Sequence, residues 1–244
     1  TSMLSNLYSA IAVMAALGVD LRSITILSVM CLIAHNLILE TMVQQKSGAK
    51  ASFIVPLRIS ASILTGFILN WLLPEQMSGP LMFEASPTQP QSWNEVFINW
   101  FYVTIPLTIK MVAIIVGLNV LQNVLREFGI IDLLIYPLRP FIKFFGLNTS
   151  TSFLWIVANT LGLAYGAAVM IEEGESGKVT KRDVDLLNSH IAISHSNFED
   201  LFLLSAMGAT WYVLLFSRWI GSFILVWELR AEYYIKDKLF KKNC

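Results

Sequence analysis

Near the middle of an apolar run of membrane-spanning length, the chain carries Ile33-Ala34-His35-Asn36-Leu37-Ile38-Leu39-Glu40-Thr41. A second run holds a counterpart, Ile193-Ser194-His195-Ser196-Asn197-Phe198-Glu199-Asp200-Leu201. In each, a histidine is followed by a small polar residue and then, four positions on, by an acid. Hydrocarbon penalises such groups by several kcal/mol unless they are paired or face water. The pattern therefore constrains the fold more than any other feature: both interruptions must be brought out of lipid, and together they read as a site.

The remainder of the chain agrees with a membrane protein. Only 14% of residues are charged and the mean hydropathy is +0.62, against about a quarter charged in soluble domains. Basic residues are scattered beside apolar runs, so a nucleic-acid partner is not expected. Cys31 and Cys244 suit neither a disulfide framework nor a zinc spacing. The opening Thr1-Ser2-Met3 lacks the basic region and cleavage site of a signal peptide.

Taken in order, residues 3–17 are apolar but short of the roughly 20 residues that cross a bilayer. Spans are predicted at 24–44, 52–73, 104–124, 184–206 and 210–228. Residues 93–102 look interfacial and 130–146 amphipathic. Within 150–172, Asn159-Thr160-Leu161-Gly162 and Gly166 suggest a helix broken at mid-depth. The predicted class is all-α and polytopic, with inverted-topology repeats and broken or re-entrant helices.

The repeat is legible without a gap over residues 22–69. A shift of 160 residues carries Arg22 onto Arg182, His35 onto His195, Glu40 onto Asp200, Gly48 onto Gly208, Arg58 onto Arg218 and Ser62 onto Ser222. A four-residue gap extends it upstream, placing Ala12-Val13-Met14 on Ala168-Val169-Met170. Charge supplies the orientation. Loop 74–92 has no Lys or Arg and belongs outside, whereas 126–143, 178–182 and 230–242 are basic and belong inside. If 150–172 dips in and returns, 24–44 runs inward and 184–206 outward, so the repeats are inverted. The expected organisation is a first repeat at 1–73, an external loop at 74–92, a second repeat at 93–228 and a basic cytoplasmic tail at 229–244. A complete first repeat would need on the order of 70 further residues at its start, which predicts a longer parent protein.

The stretch Leu32 to Glu40, and Gly166 to Gly174 followed by Ile193 to Asp200, resemble the nucleoside-recognition or Gate membrane domain. That domain occurs in spore-maturation A/B-type proteins, in the membrane part of ferrous-iron transporters and, distantly, in concentrative nucleoside transporters. The resemblance covers nearly the whole chain. It implies a substrate site built from hairpins and the unwound helices beside them. Substrate-binding residues carried over on that basis are Asn36, Glu40, His195, Ser196, Asn197, Glu199 and Asp200, with Asn159 and Thr160 on the hairpin.

The residues themselves allow two readings of these groups. Asn36 and Glu40, Ser196 and Asp200, and His195 and Glu199 each share a helix face. They line a midplane cavity in one reading and glue helices together in the other. Arg58 and Arg218 either bind anionic headgroups, snorkel, or pair with an acid. For metals, Cys31 with His35 and His195 with Glu199 have ligand spacing, but no dense His/Cys cluster exists, so no metal site is assigned. No catalytic residues, enzymatic activity or cofactor is expected. The expected function is binding and translocation of a small polar solute, nucleosides among the candidates, in a bacterial cytoplasmic (inner) membrane. The alternatives are a non-transporting scaffold or regulatory subunit and a ferrous-iron or other divalent-metal conduit. The expected partners are the bilayer, the solute and, as homo-oligomer, further copies of the chain.

Overall fold

The computed structural model describes residues 1–81, 92–160, 162, 171 and 179–242, without the side chains of 131, 132 and 240–242. All regular structure among them is helical. In chain order the helices are α1 (Leu7–Leu17), α2 (Leu21–Ala34), α3 (Leu37–Lys46), α4 (Ala51–Leu72), α5 (Trp93–Glu127), α6 (Ile130–Phe144), α7 (Ser152–Thr160), α8 (Lys181–Ser194), α9 (Glu199–Ala206) and α10 (Trp211–Lys242). Local chemistry sets several boundaries. Asn6 and Asp20 cap α1 and α2 by accepting from the Ser9 and Ser23 backbone N–H groups at 2.9 and 2.6 Å. Gly18, at φ 58°, ends α1 in the left-handed conformation. Thr180 and Asp183 form a reciprocal capping box on α8.

Among the described residues, four stretches are long and apolar enough to cross a membrane: Leu21–Lys46, Ala51–Leu72, Trp93–Glu127 and Trp211–Leu239. Four of the five predicted spans fall on them. The interfacial segment 93–102 and the span 104–124 are one continuous helix, and residues beyond 229 simply continue α10. The predicted span 184–206 is the exception: it is divided between α8 and α9. Nearly every residue of α8 from Val184 onward is buried against protein, so this segment needs no lipid-compatible surface and its polarity is not penalised.

Hydrogen bonds fix the relative direction of the matched segments. At one end, Thr25 near the start of α2 accepts from the Thr210 backbone N–H at 3.2 Å, just after α9. At the other, Gln44 and Ser47, at the end of α3, donate to Asn188 of α8, at 3.0 Å each. The α2–α3 segment therefore begins where α8–α9 finishes and finishes where α8–α9 begins, so the two are antiparallel. Packing obeys the same symmetry, with α2 laid along α4 and α8 along α10. The turn glycines agree as well: Gly48 and Gly208 lie at φ 100° and 113°, values open to glycine but to few other residues. At Gly208 a Cβ would come within 2.7 Å of the Pro80 carbonyl oxygen.

Among the described residues, the buried apolar side chains form two clusters. One joins α1, α2 and α9 through Ile11, Val29, Leu32 and Leu204; the other joins α6, α7, α8 and α10 through Ile142, Trp155, Leu187 and Val226. The first arm of the predicted hairpin is α7. Of the rest of that hairpin, Leu161, residues 163–170 and residue 172 lie outside the described residues, as do loop residues 82–91.

Candidate functional site

The two histidine stretches fold into the same backbone dislocation. Helix α2 stops because His35 is extended (φ −72°, ψ 161°) and Asn36 is left-handed (φ 47°, ψ 35°), after which α3 begins. At the end of α8, His195 is extended (φ −77°, ψ 168°) and Ser196 left-handed (φ 48°). Among the described residues, Asn36 and Ser196 are the only non-glycines with positive φ. Asparagine tolerates that region; for serine it costs about 1 kcal/mol.

A helix broken inside a bilayer exposes backbone groups that must find partners within the protein. In the first half, the Asn36 and Leu37 N–H groups donate to the Ser2 and Met3 carbonyls, both at 2.9 Å. In the second, the Ser196 and Phe198 N–H groups donate to the Ala158 and Asn159 carbonyls at 3.3 and 3.4 Å. Ser2 and Ala158 are related by the gapped register predicted upstream, so the four-residue gap is visible here although 168–170 are not described. The carbonyls freed at the breaks take a buried arginine each. Arg58 donates from Nε to Ile33 and from Nη2 to His35, both at 2.8 Å. Arg218 donates from Nη1 to His195 at 3.0 Å and from Nη2 to the Asn197 side-chain oxygen. Both are fully buried, which corrects the headgroup-binding and snorkelling readings. They cap the C-terminal ends of α2 and α8, where a cation is favoured.

Side chains converge between the breaks. Glu40 is ion-paired to Arg58, Oε2 to Nη2 at 2.5 Å. Its Oε1 lies 3.1 Å from His35 Nε2 and its Oε2 lies 3.1 Å from His195 Nε2. His35 Nε2 is also 3.4 Å from Asp200 Oδ2, and the imidazole centroids are 5.2 Å apart. Each ring is oriented from behind, with Nδ1 3.0 Å from the Cys31 carbonyl in His35 and 2.8 Å from the Ile191 carbonyl in His195. Carbonyl oxygens only accept, so both Nδ1 atoms carry hydrogen and both Nε2 atoms face the acids.

A cavity of about 210 Å³ opens beside this cluster, and Asn36, Glu40, Ser196, Glu199 and Asp200 line it together with His35, Asn6, Tyr8 and Gly162. His195 closes the back of the cluster through Glu40. Asn159, Thr160 and Asn197 face elsewhere. Asn197 Nδ2 donates to Asn159 Oδ1 at 2.6 Å and to the Ser194 carbonyl at 2.8 Å, while the Thr160 hydroxyl donates to the Ile156 carbonyl. Asn159 and Asn197 brace the second break, whereas the Thr160 hydroxyl bonds within α7. Glu199 accepts from Gln122 of α5 at 3.2 Å. Among the described residues, the set with metal-ligand proximity is His35, Glu40 and His195; Cys31 and Glu199 fall outside it. His190 is fully buried and bonded to Ser194 and Trp155. The arginines' attachment to the break carbonyls was missed in the sequence, although their register match was the available signal.

Over 215 residues the chain is 29% identical to the uncharacterized membrane protein YvoD of Bacillus subtilis (strain 168), an alignment covering 87% of this chain and 69% of that protein. No family model matches the chain, so the Gate-domain resemblance stays a likeness of motifs. No solved structure matches either. With four apolar stretches of membrane-spanning length among the described residues, the chain is an integral, multi-pass membrane protein.

Proposed function

We propose that this integral membrane protein binds a small polar solute between its two inverted repeats and carries it across a bacterial cytoplasmic membrane. The observation that carries the reading is the pair of matching helix breaks, one in each antiparallel segment, with their polar side chains turned toward one another. Inverted repeats meeting at broken helices are the architecture of secondary transporters. Flanking cavities support a path. One of about 370 Å³ lies by Lys50, Lys181, Asp185 and Asn188 at the α3–α4 turn. Another of about 580 Å³ lies by Leu21, Gly79, Gly208 and Thr210 at the opposite turn.

Size narrows the solute. The central 210 Å³ is below the roughly 300–1,000 Å³ of pockets that enclose drug-sized ligands, which favours an ion or very small molecule in this conformation. A nucleoside would require a more open state. The carboxylates of Glu40, Glu199 and Asp200 suit a cationic or hydrogen-donating solute.

The test is a thermal-shift panel in detergent followed by uptake into proteoliposomes, comparing wild type with Asp200→Asn and Glu40→Gln. A stabilising solute whose effect and uptake fall in both variants is the expected result; equal responses in both variants and wild type would remove the site. A scaffold role is the second reading, favoured by α5, none of whose residues is buried. It predicts function sensitive to substitutions on α5 and indifferent to those at Asp200.

A further inference from the structure

We propose that the cluster between the helix breaks is a site for a divalent transition-metal ion of the Zn(II)/Fe(II) class, held by His35 and His195 through Nε2 and by the carboxylate of Glu40. The proposal rests on reading this cavity as the binding site, and is independent of whether anything crosses the membrane.

Ring orientation is the first support. Both histidines donate Nδ1–H to a main-chain carbonyl of their own helix, the arrangement that fixes a metal-binding tautomer and leaves Nε2 as the donor atom. The two Nε2 atoms come from different repeats, yet approach the same carboxylate. A neutral imidazole facing a carboxylate through Nε2 sets lone pair against lone pair. A cation must therefore stand between them, either a proton or a metal.

Distances and unmet valences favour the metal. Bonds of about 2.0–2.1 Å to a tetrahedral ion place neighbouring ligand atoms roughly 3.3 Å apart. His35 Nε2 lies 3.1 Å from Glu40 Oε1 and His195 Nε2 lies 3.1 Å from Glu40 Oε2, and one ligand atom from each of the three residues lies within 4.8 Å of the other two. His195 Nε2 is buried and has no aligned hydrogen-bond partner, and the Glu40 Oε2 that stands 3.1 Å away is already held by Arg58. Charge agrees, since Glu40, Glu199 and Asp200 oppose Arg58 and Arg218, leaving the cluster acidic by one. Two imidazoles and a carboxylate suit Zn(II), Fe(II) or Co(II) better than Mg(II) or Ca(II), which prefer oxygen alone.

Co(II) titration of chelator-stripped protein in detergent tests the proposal. Wild type should take up one equivalent with the visible d–d absorption of low-coordinate Co(II), and Zn(II) should displace it and raise the melting temperature. His35→Gln and His195→Gln should each weaken Co(II) binding by more than about tenfold while eluting as monodisperse protein. Cys31→Ser should leave the spectrum unchanged. Absence of both the absorption and the Zn(II) shift in wild type overturns the site whatever the variants do, as does loss of the absorption in Cys31→Ser. If Co(II) and Zn(II) leave wild type unchanged while an organic solute stabilises it in the thermal-shift panel, the metal site falls and the solute reading stands. If metal binds but is not taken up by proteoliposomes, translocation falls and the metal site stands.

Discussion

Arg58 is where residue-level chemistry is most exposed to test. It is fully buried and supports two carbonyls at the first break while neutralising Glu40. Removing one partner of a buried pair typically costs about 3–5 kcal/mol, so Arg58→Met should lower stability sharply in detergent melts. Adding Glu40→Gln should recover part of the loss, and the double variant should be less destabilised than the sum of the two. Ser196 supplies a conformational test. A β-branched side chain is a genuine outlier at φ 48°, so Ser196→Val should destabilise while Ser196→Gly is nearly neutral. The identities of the converging acids and histidines were readable from the repeat, because polar residues in an apolar run stand out. The arginines' roles were not, because neighbouring sequence says nothing about which distant carbonyl a long side chain reaches. Asn159 and Asn197 show the same limit: polarity marks both, but only the folded contact reveals that they bond to each other.

Helix boundaries carry their own tests. Asp20 lies just outside the α2–α3 span, and the Ser23 backbone N–H it caps holds its carboxyl below the ordinary carboxylate range. A depressed folded-state value means that its contribution is present above the unfolded value and fades as pH falls through the folded one. Asp20→Ala should cost about 1 kcal/mol near neutrality, and the difference from wild type should shrink in acid. Circular dichroism melts across a pH series would measure both. Helix α5 poses a different question, since 35 residues extend to about 52 Å, well beyond a roughly 30 Å hydrocarbon core. Its aromatic first turns, Trp93, Phe97, Trp100 and Phe101, are exposed and suit an interface. Sequence hydropathy found most spans but could not foresee that 184–206 would be two short helices wrapped by protein. Span prediction rewards a lipid-facing surface, and this segment has almost none.

For the whole molecule, the antiparallel arrangement predicts that the α3–α4 and α9–α10 turns lie on opposite sides of the membrane. Single cysteines at Lys46 and Ala206 in a Cys31→Ser, Cys244→Ser background should be labelled by an impermeant reagent from opposite faces of oriented vesicles. Labelling from one face would undo the inversion. The same arrangement bears on ancestry. Two halves of opposite orientation on one chain imply a duplicated module that once had to insert both ways, and such a module must carry little charge bias between its ends. The present turns have diverged from that neutrality: Lys46 and Lys50 bracket one, while Ala206 to Thr210 in the other holds no charge. Lys46 and Lys50 then add to the basic stretches at 126–143, 178–182 and 230–242 in holding the chain to one direction of insertion.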